Sequence, residues 1–157
     1  MEKESERKIV ITVGDLMTRE VVTLREDAPL KEVVDVFIKH DVSGFPVVDK
    51  DGALLGIVTQ YDLVARGSGV HVPTLLKTLS EVNMIGAEKG ILKDTLKPLY
   101  SLTARDIMNP EALFLYSREP MEKATQEFAE HHKVNPIVVL DDAGKVAGVL
   151  SRHDMIR

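Results

Sequence analysis

Two tetrapeptides carry the side chains best suited to holding an anion beside a diol: Thr59-Gln60-Tyr61-Asp62 and Ser151-Arg152-His153-Asp154. Each follows a short aliphatic run, so each marks a strand passing into a helix. The first turn of a helix carries N–H groups without intrahelical partners, at the positive end of the helix dipole. A hydroxyl there adds a donor for a phosphate oxygen, and a carboxylate one turn in accepts from two adjacent ribose hydroxyls at once. Arg152 or His153 would offset phosphate charge. The same spacing is also that of a capping box, in which the acid reaches back to the N–H of the residue that starts the helix. A single occurrence favours capping. Two occurrences favour a ligand, because Glu or Gln would cap as well. The roles are compatible in turn, capping when empty and binding when occupied.

Other chemistry has less to stand on. His131 and His132 are consecutive and diverge on a helix. The chain has no cysteine and no His-Glu-x-x-His spacing, so no metal site is expected. Asp49-Lys50-Asp51-Gly52 lacks the later ligands and bidentate Glu of a calcium loop and reads as a hairpin turn. There is no Gly-x-x-x-x-Gly-Lys-Ser/Thr loop, nucleophile elbow or pair of catalytic carboxylates on a defined cleft. The expectation is a protein that is not an enzyme and has no catalytic residue.

The elements around the two tetrapeptides recur. Thr12-Val13-Gly14-Asp15-Leu16-Met17-Thr18 returns as Thr103-Ala104-Arg105-Asp106-Ile107-Met108-Asn109, a shift of 91 (106 − 15). Asp15 and Asp106 read as caps of short helices, with Met17 and Met108 as core. Strands are expected over Val21–Leu24 and Ala112–Leu115. Pro29 and Pro120 suit a first helical turn, with Asp27 and Ser117 upstream as N-caps. Leu30, Val33, Val34, Phe37 and Ile38 form one apolar helical face, answered by Met121, Ala124, Phe128 and Ala129. Proline-led apolar runs follow, Phe45-Pro46-Val47-Val48 and Asn135-Pro136-Ile137-Val138-Val139. Turns at Asp49–Gly52 and Asp141–Gly144 then lead to strands at Leu54–Val58 and Val146–Leu150, which predicts a hairpin in each copy. The closing tetrapeptides are in register at 92 (154 − 62), so the two copies are a duplication.

Residues 67–102 form a linker with expected helices around Leu75–Val82 and Leu92–Leu99, and the last helix, ending near Arg157, is expected to be short. With hydrophobic residues at 44% and charged residues at 29%, the balance is globular. Aromatics at 4% leave no stacking platform for single-stranded nucleic acid. The net charge of −5 argues against nucleic acid and against an anionic membrane surface, while leaving room for a small anion held by local donors. No apolar run approaches the roughly 20 residues of a membrane span, and the acidic start has no signal-peptide core. A cytoplasmic protein is expected.

The order Asp-Leu-Met-Thr, helix, Phe-Pro-Val-Val-Asp, Gly-Ile-Val-Thr-x-x-Asp-Leu resembles a CBS domain, and two copies in tandem resemble a Bateman module. The likeness covers residues ~12–66 and ~103–157. It implies an α/β fold of two β-α-β-β-α units about a pseudo-twofold axis, with residues 1–66 as the first unit and 103–157 as the second. It also implies clefts for a regulatory ligand, AMP, ADP, ATP or S-adenosylmethionine, with no tightly bound cofactor. By the same resemblance Thr59 and Ser151 would contact phosphate, and Asp62 and Asp154 the ribose. Backbone around Val22, Phe45 and Pro46, or Leu113, Asn135 and Pro136, would line the adenine, and Arg152 joins the set. A homodimer acting on a protein target is implied. Left open beside this reading are a ligand-free dimerisation or interaction scaffold and, with least support, a small nucleotide hydrolase.

Overall fold

The computed structural model describes residues 10–65 and 101–156; the helices expected between them lie outside the described residues. Each copy folds into the expected order. The first has helix α1 (Val13–Leu16), strand β1 (Leu24–Arg25), helix α2 (Leu30–Lys39), strands β2 (Gly44–Val48) and β3 (Leu54–Thr59), and helix α3 (Gln60–Ala65). The second has α4 (Ala104–Ile107), β4 (Phe114–Tyr116), α5 (Met121–Glu130), β5 (Ile137–Leu140) and β6 (Val146–Leu150), and ends in a 3₁₀ turn at Asp154–Ile156.

Each sheet has three strands, β1-β2-β3 and β4-β5-β6. The middle strand runs parallel to the first and antiparallel to the third. A parallel pair needs a crossover, supplied here by α2 and α5; an antiparallel pair needs only a turn. In the hairpin turns one oxygen of Asp49 accepts from the N–H groups of Asp51 (2.8 Å) and Ala53 (2.9 Å). Asp141 does the same for Ala143 and Lys145, both at 2.9 Å. Gly52 and Gly144 take the positive φ (85° and 77°) that each turn requires.

The chain groups into two compact units, Val21–Ala112 and Met1–Glu20 with Leu113–Arg157. Each therefore combines the sheet of one repeat with the leading helix of the other. In the first, the Asn109 N–H and C=O pair with Ile57 at the free edge of β3 (2.8 and 3.0 Å). In the second, Thr18 pairs with Val149 at the free edge of β6 (2.9 and 3.0 Å). Two glycines permit that approach. A Cβ on Gly56 would lie 2.6 Å from the Asn109 carbonyl oxygen, and one on Gly148 2.6 Å from that of Thr18.

One core holds Leu24, Val33, Val34, Phe45, Val47, Val58, Ile107 and Met108, and the other Val13, Met17, Leu115, Phe128, Ile137, Val139 and Leu150. Burial of both methionines agrees with the sequence reading. The outer ends of the helical faces do not follow it: Ile38 is 62% exposed and Ala129 is exposed, each lying to the side of the buried stripe of its helix, Leu30, Val33 and Val34 in α2 and Ala124 and Phe128 in α5. Asp27 and Ser117 do not cap. Pro29 and Pro120 hold the N-cap positions instead, with no side-chain cap. The first helical N–H groups, of Leu30 and Met121, donate to the carbonyls of Leu102 and Ile11 (2.9 and 3.0 Å). Backbone from the leading segment thus meets a need that a side chain was expected to meet. Strands β1 and β4 also begin later than the apolar runs suggest, by three residues and by two.

Candidate functional site

Both tetrapeptides stand where a third strand ends. In the first unit, β3 runs to Thr59 and α3 starts at Gln60. The Thr59 N–H and hydroxyl both donate to Oδ2 of Asp62 (2.9 and 2.5 Å), and the Asp62 N–H donates to the Thr59 hydroxyl oxygen (3.3 Å). In the second unit the Ser151 N–H and hydroxyl donate to Oδ2 of Asp154 (2.8 and 2.6 Å), with the Asp154 N–H returning to Ser151 (3.3 Å). Both are closed capping boxes. Asp62 and Asp154 are nevertheless the buried charged residues among those described, at 7% and 9% exposure. A buried carboxylate is held by partners or by a ligand, since desolvation otherwise disfavours its charge.

The Thr12/Asp15 and Thr103/Asp106 pairs are built alike but lie at the surface. Asp15 accepts from the Thr12 N–H and hydroxyl (both 2.8 Å), and Asp106 from those of Thr103 (2.7 and 2.8 Å). Donation first from the threonine N–H and then from its hydroxyl holds both carboxyls below the ordinary aspartate value. Among the described residues there are thus two exposed boxes that start short helices and two buried ones at the sheet ends.

The remaining site residues divide by unit. Val22, Phe45, Pro46, Thr59 and Asp62 belong to the first; Leu113, Asn135, Pro136, Ser151, Arg152 and Asp154 to the second. The Phe45 side chain is core, edge-on to Phe37 at 4.6 Å between ring centroids, so only its backbone can line a ligand. Asn135 takes part directly: its Oδ1 accepts the Arg152 N–H at 3.1 Å. The Asn135–Pro136 peptide is cis. The Arg152 guanidinium points away from the acid. Its Nη2 donates to the carbonyls of Phe128, His131 and His132 (2.9, 3.1 and 3.2 Å), and it lies over the Phe128 ring at 4.7 Å. In this arrangement it caps α5.

Two features were not read from the sequence. The Thr18 hydroxyl donates to Oδ1 of Asp154 at 3.4 Å, bringing the leading segment to the second site. The signal was present in Leu-Met-Thr, whose threonine follows the buried methionine. The second concerns register. Pro46 pairs with Ile57 and Val138 with Val149, so Val138, not Pro136, is the counterpart of Pro46 (149 − 57 = 92; 138 − 46 = 92). The two prolines are not equivalent.

A tandem β-α-β-β-α pair with an acidic box closing each third strand defines the class of module to which the chain belongs. The CBS domain family model matches residues 13–69 and 104–157, and the chain is a member of that family. It is 28% identical to the CBS domain-containing protein CBSX1, chloroplastic, of Arabidopsis thaliana, across 98% of this chain and 66% of that protein. The structure of CBSX2 from the same plant has a TM-score of 0.72 at 25% identity, covering 95% of this chain and 94% of that one. The CBS domain of a membrane protein from Sphaerobacter thermophilus gives 0.72 at 26%, over 94% of this chain and 86% of that one. The chain thus spans just under two thirds of the curated CBSX1 and CBSX2 sequences, 66% and 62%. No helix among the described residues is long and apolar enough to cross a membrane.

Proposed function

We propose that this CBS pair is a regulatory module that takes an adenosine-containing ligand at the Thr59/Asp62 and Ser151/Asp154 ends of its sheets and signals occupancy by a conformational change. The observation that carries this reading is the pair of buried carboxylates, one per repeat, each accepting from the hydroxyl and N–H of the residue that ends the third strand. A carboxylate at that place accepts from both hydroxyls of a ribose, and the neighbouring hydroxyl turns from the acid to a phosphate oxygen. Ligand-bound structures of this fold give the class its chemistry: CBSX2 was solved with AMP, and the CBS pair of protein MJ0100 with 5′-methylthioadenosine and S-adenosyl-L-methionine. At 24% and 20% identity those structures support the fold, and the ligand class is carried over as part of the proposal.

Signalling is a matter of linkage. A ligand shifts the module only by the difference in its affinity for two arrangements. Opening a capping box to free its hydroxyl is one such difference, felt at the first turn of α3 or at the Asp154 turn. The module itself is non-catalytic in this reading, and we place it in a homodimer that acts on a protein target.

Thermal unfolding with AMP, ADP, ATP and S-adenosylmethionine tests the proposal. A ligand at 100 times its dissociation constant stabilises by about 2.7 kcal/mol. An unchanged melting temperature with all four leaves the alternative, a ligand-free interaction scaffold. Mass measurement of the intact protein under native conditions reads both a co-purified adenine compound and the dimer.

A further inference from the structure

We propose that the two repeats read a purine unequally: the first selects a base with an exocyclic amine through the Val22 carbonyl, and the second lacks that selection. The inference rests on the adenosine reading above and adds to it a specificity-determining residue, Pro46.

In the second repeat the Val138 N–H donates to the Leu113 carbonyl at 3.1 Å, and the β4–β5 ladder begins at Phe114↔Val138. The first repeat differs at one place. Val22 is the counterpart of Leu113 (113 − 22 = 91), and Pro46 stands where Val138 stands, without an N–H to give. The β1–β2 ladder accordingly begins one pair later, at Leu24↔Val47, and β1 has two residues against the three of β4. Among the described residues no donor meets the Val22 carbonyl, which belongs to a residue 37% exposed. A peptide carbonyl left out of a ladder takes its hydrogen bond from water or from a ligand.

Its position matches the acid. Counting back from Leu24↔Val47, Val22 is level with Phe45, which pairs with Val58, the neighbour of Thr59. The free carbonyl and the Thr59/Asp62 box thus share one end of one sheet, two strand spacings or about 10 Å apart. A carbonyl only accepts. It welcomes the 6-amino group of adenine and faces another acceptor in the 6-oxo group of hypoxanthine, so the discrimination is chemical and not steric. In the second repeat the Leu113 carbonyl is already engaged by Val138, and this preference is weaker.

Calorimetric titration of the whole chain with AMP and with IMP reads the difference. The expected result is one preferred AMP per chain, with AMP favoured over IMP by about tenfold or more. Pro46→Val supplies the missing N–H, copies the residue of the second repeat, and is expected to bring the preference to within about threefold. Val138→Pro frees the Leu113 carbonyl and is expected to add a second AMP with the same preference. Should that variant unfold, the comparison of Pro46→Val with wild type decides alone. An AMP preference that survives Pro46→Val, or two equal AMP sites in wild type, overturns the inference while leaving adenosine binding intact. Failure of the wild type to bind any adenosine compound removes the proposed function, and this inference with it.

Discussion

Arg152 and Phe128 are joined twice: the guanidinium donates to the Phe128 carbonyl at 2.9 Å and lies 4.7 Å over the ring of the same residue. Since it also meets the carbonyls of His131 and His132, the arginine serves the C-terminal end of α5, where a cation complements the dipole. Arg152→Ala is expected to cost about 1–2 kcal/mol of stability, read from denaturant midpoints. Arg152→Lys should recover only part of it, because an ammonium does not reproduce the stacking of the planar guanidinium over the Phe128 ring. A midpoint equal to wild type for the alanine variant would show that these contacts contribute nothing.

The buried acids separate capping from binding. Asp62→Ala or Asp154→Ala is expected to weaken adenosine-ligand binding by about 1.5–3 kcal/mol, the range for hydrogen bonds to a charged acceptor. Titration calorimetry on each variant checks this. Unchanged affinity in both would leave the carboxylates as caps alone.

Gly56 and Gly148 let a leading segment lie against a strand edge. A methyl group on either meets a backbone carbonyl at 2.6 Å and a methionine sulfur at 2.9 Å, and the carbonyl is part of a bonded pair that cannot retreat. Gly56→Ala and Gly148→Ala are each expected to cost about 1–3 kcal/mol, the usual cost of overpacking, read from equilibrium unfolding.

The exposed boxes give a pH dependence. Asp15 and Asp106 titrate below 3.8 in the folded protein because Thr12 and Thr103 donate to their charged forms. Their contribution is therefore complete above the unfolded value and is lost as pH falls through it towards the lower folded value. The stability difference between wild type and Asp15→Asn/Asp106→Asn should shrink as pH is lowered from 5 to below about 3.8, the unfolded value. Carboxylate chemical shifts in the folded protein should titrate with midpoints below it. Midpoints at or above that value would contradict the geometry.

Helix burial supplies a calibration of the cores. Phe128 is 3% exposed, and Phe128→Ala is expected to cost about 3–5 kcal/mol. Phe37 is only half-buried, resting its edge on Phe45, so Phe37→Ala should cost less. Equal losses from chemical denaturation would mean that α2 packs more deeply than described.

Much of this architecture was legible from residue order because duplication doubles every signal. The hairpins were written in Asp49–Gly52 and Asp141–Gly144, and the short leading helices in Thr-x-x-Asp. The N-caps were not, because Leu30 and Met121 obtain their acceptors from backbone about seventy and one hundred and ten residues away in sequence, and no local pattern encodes that (102 − 30 = 72; 121 − 11 = 110). Matching Pro46 with Pro136 misled for a related reason. Equivalence in a sheet is set by cross-strand partners, and proline recurs near strand starts for several unrelated reasons. The acid pairs were visible, but whether they are buried or exposed depends on the sheets around them: Asp62 and Asp15 have the same spacing to threonine and opposite environments.

The exchange of leading helices has a practical corollary for dissection. A fragment ending at Ala65 would keep the strand edge at Ile57 yet lose Asn109, the only backbone described as closing it. It would also expose the notch over Gly56 that Met108 fills, and carry an orphaned Val13 whose own core lies in the other half of the chain. Cutting between the repeats therefore divides each hydrophobic interior. Neither repeat carries a complete core on its own.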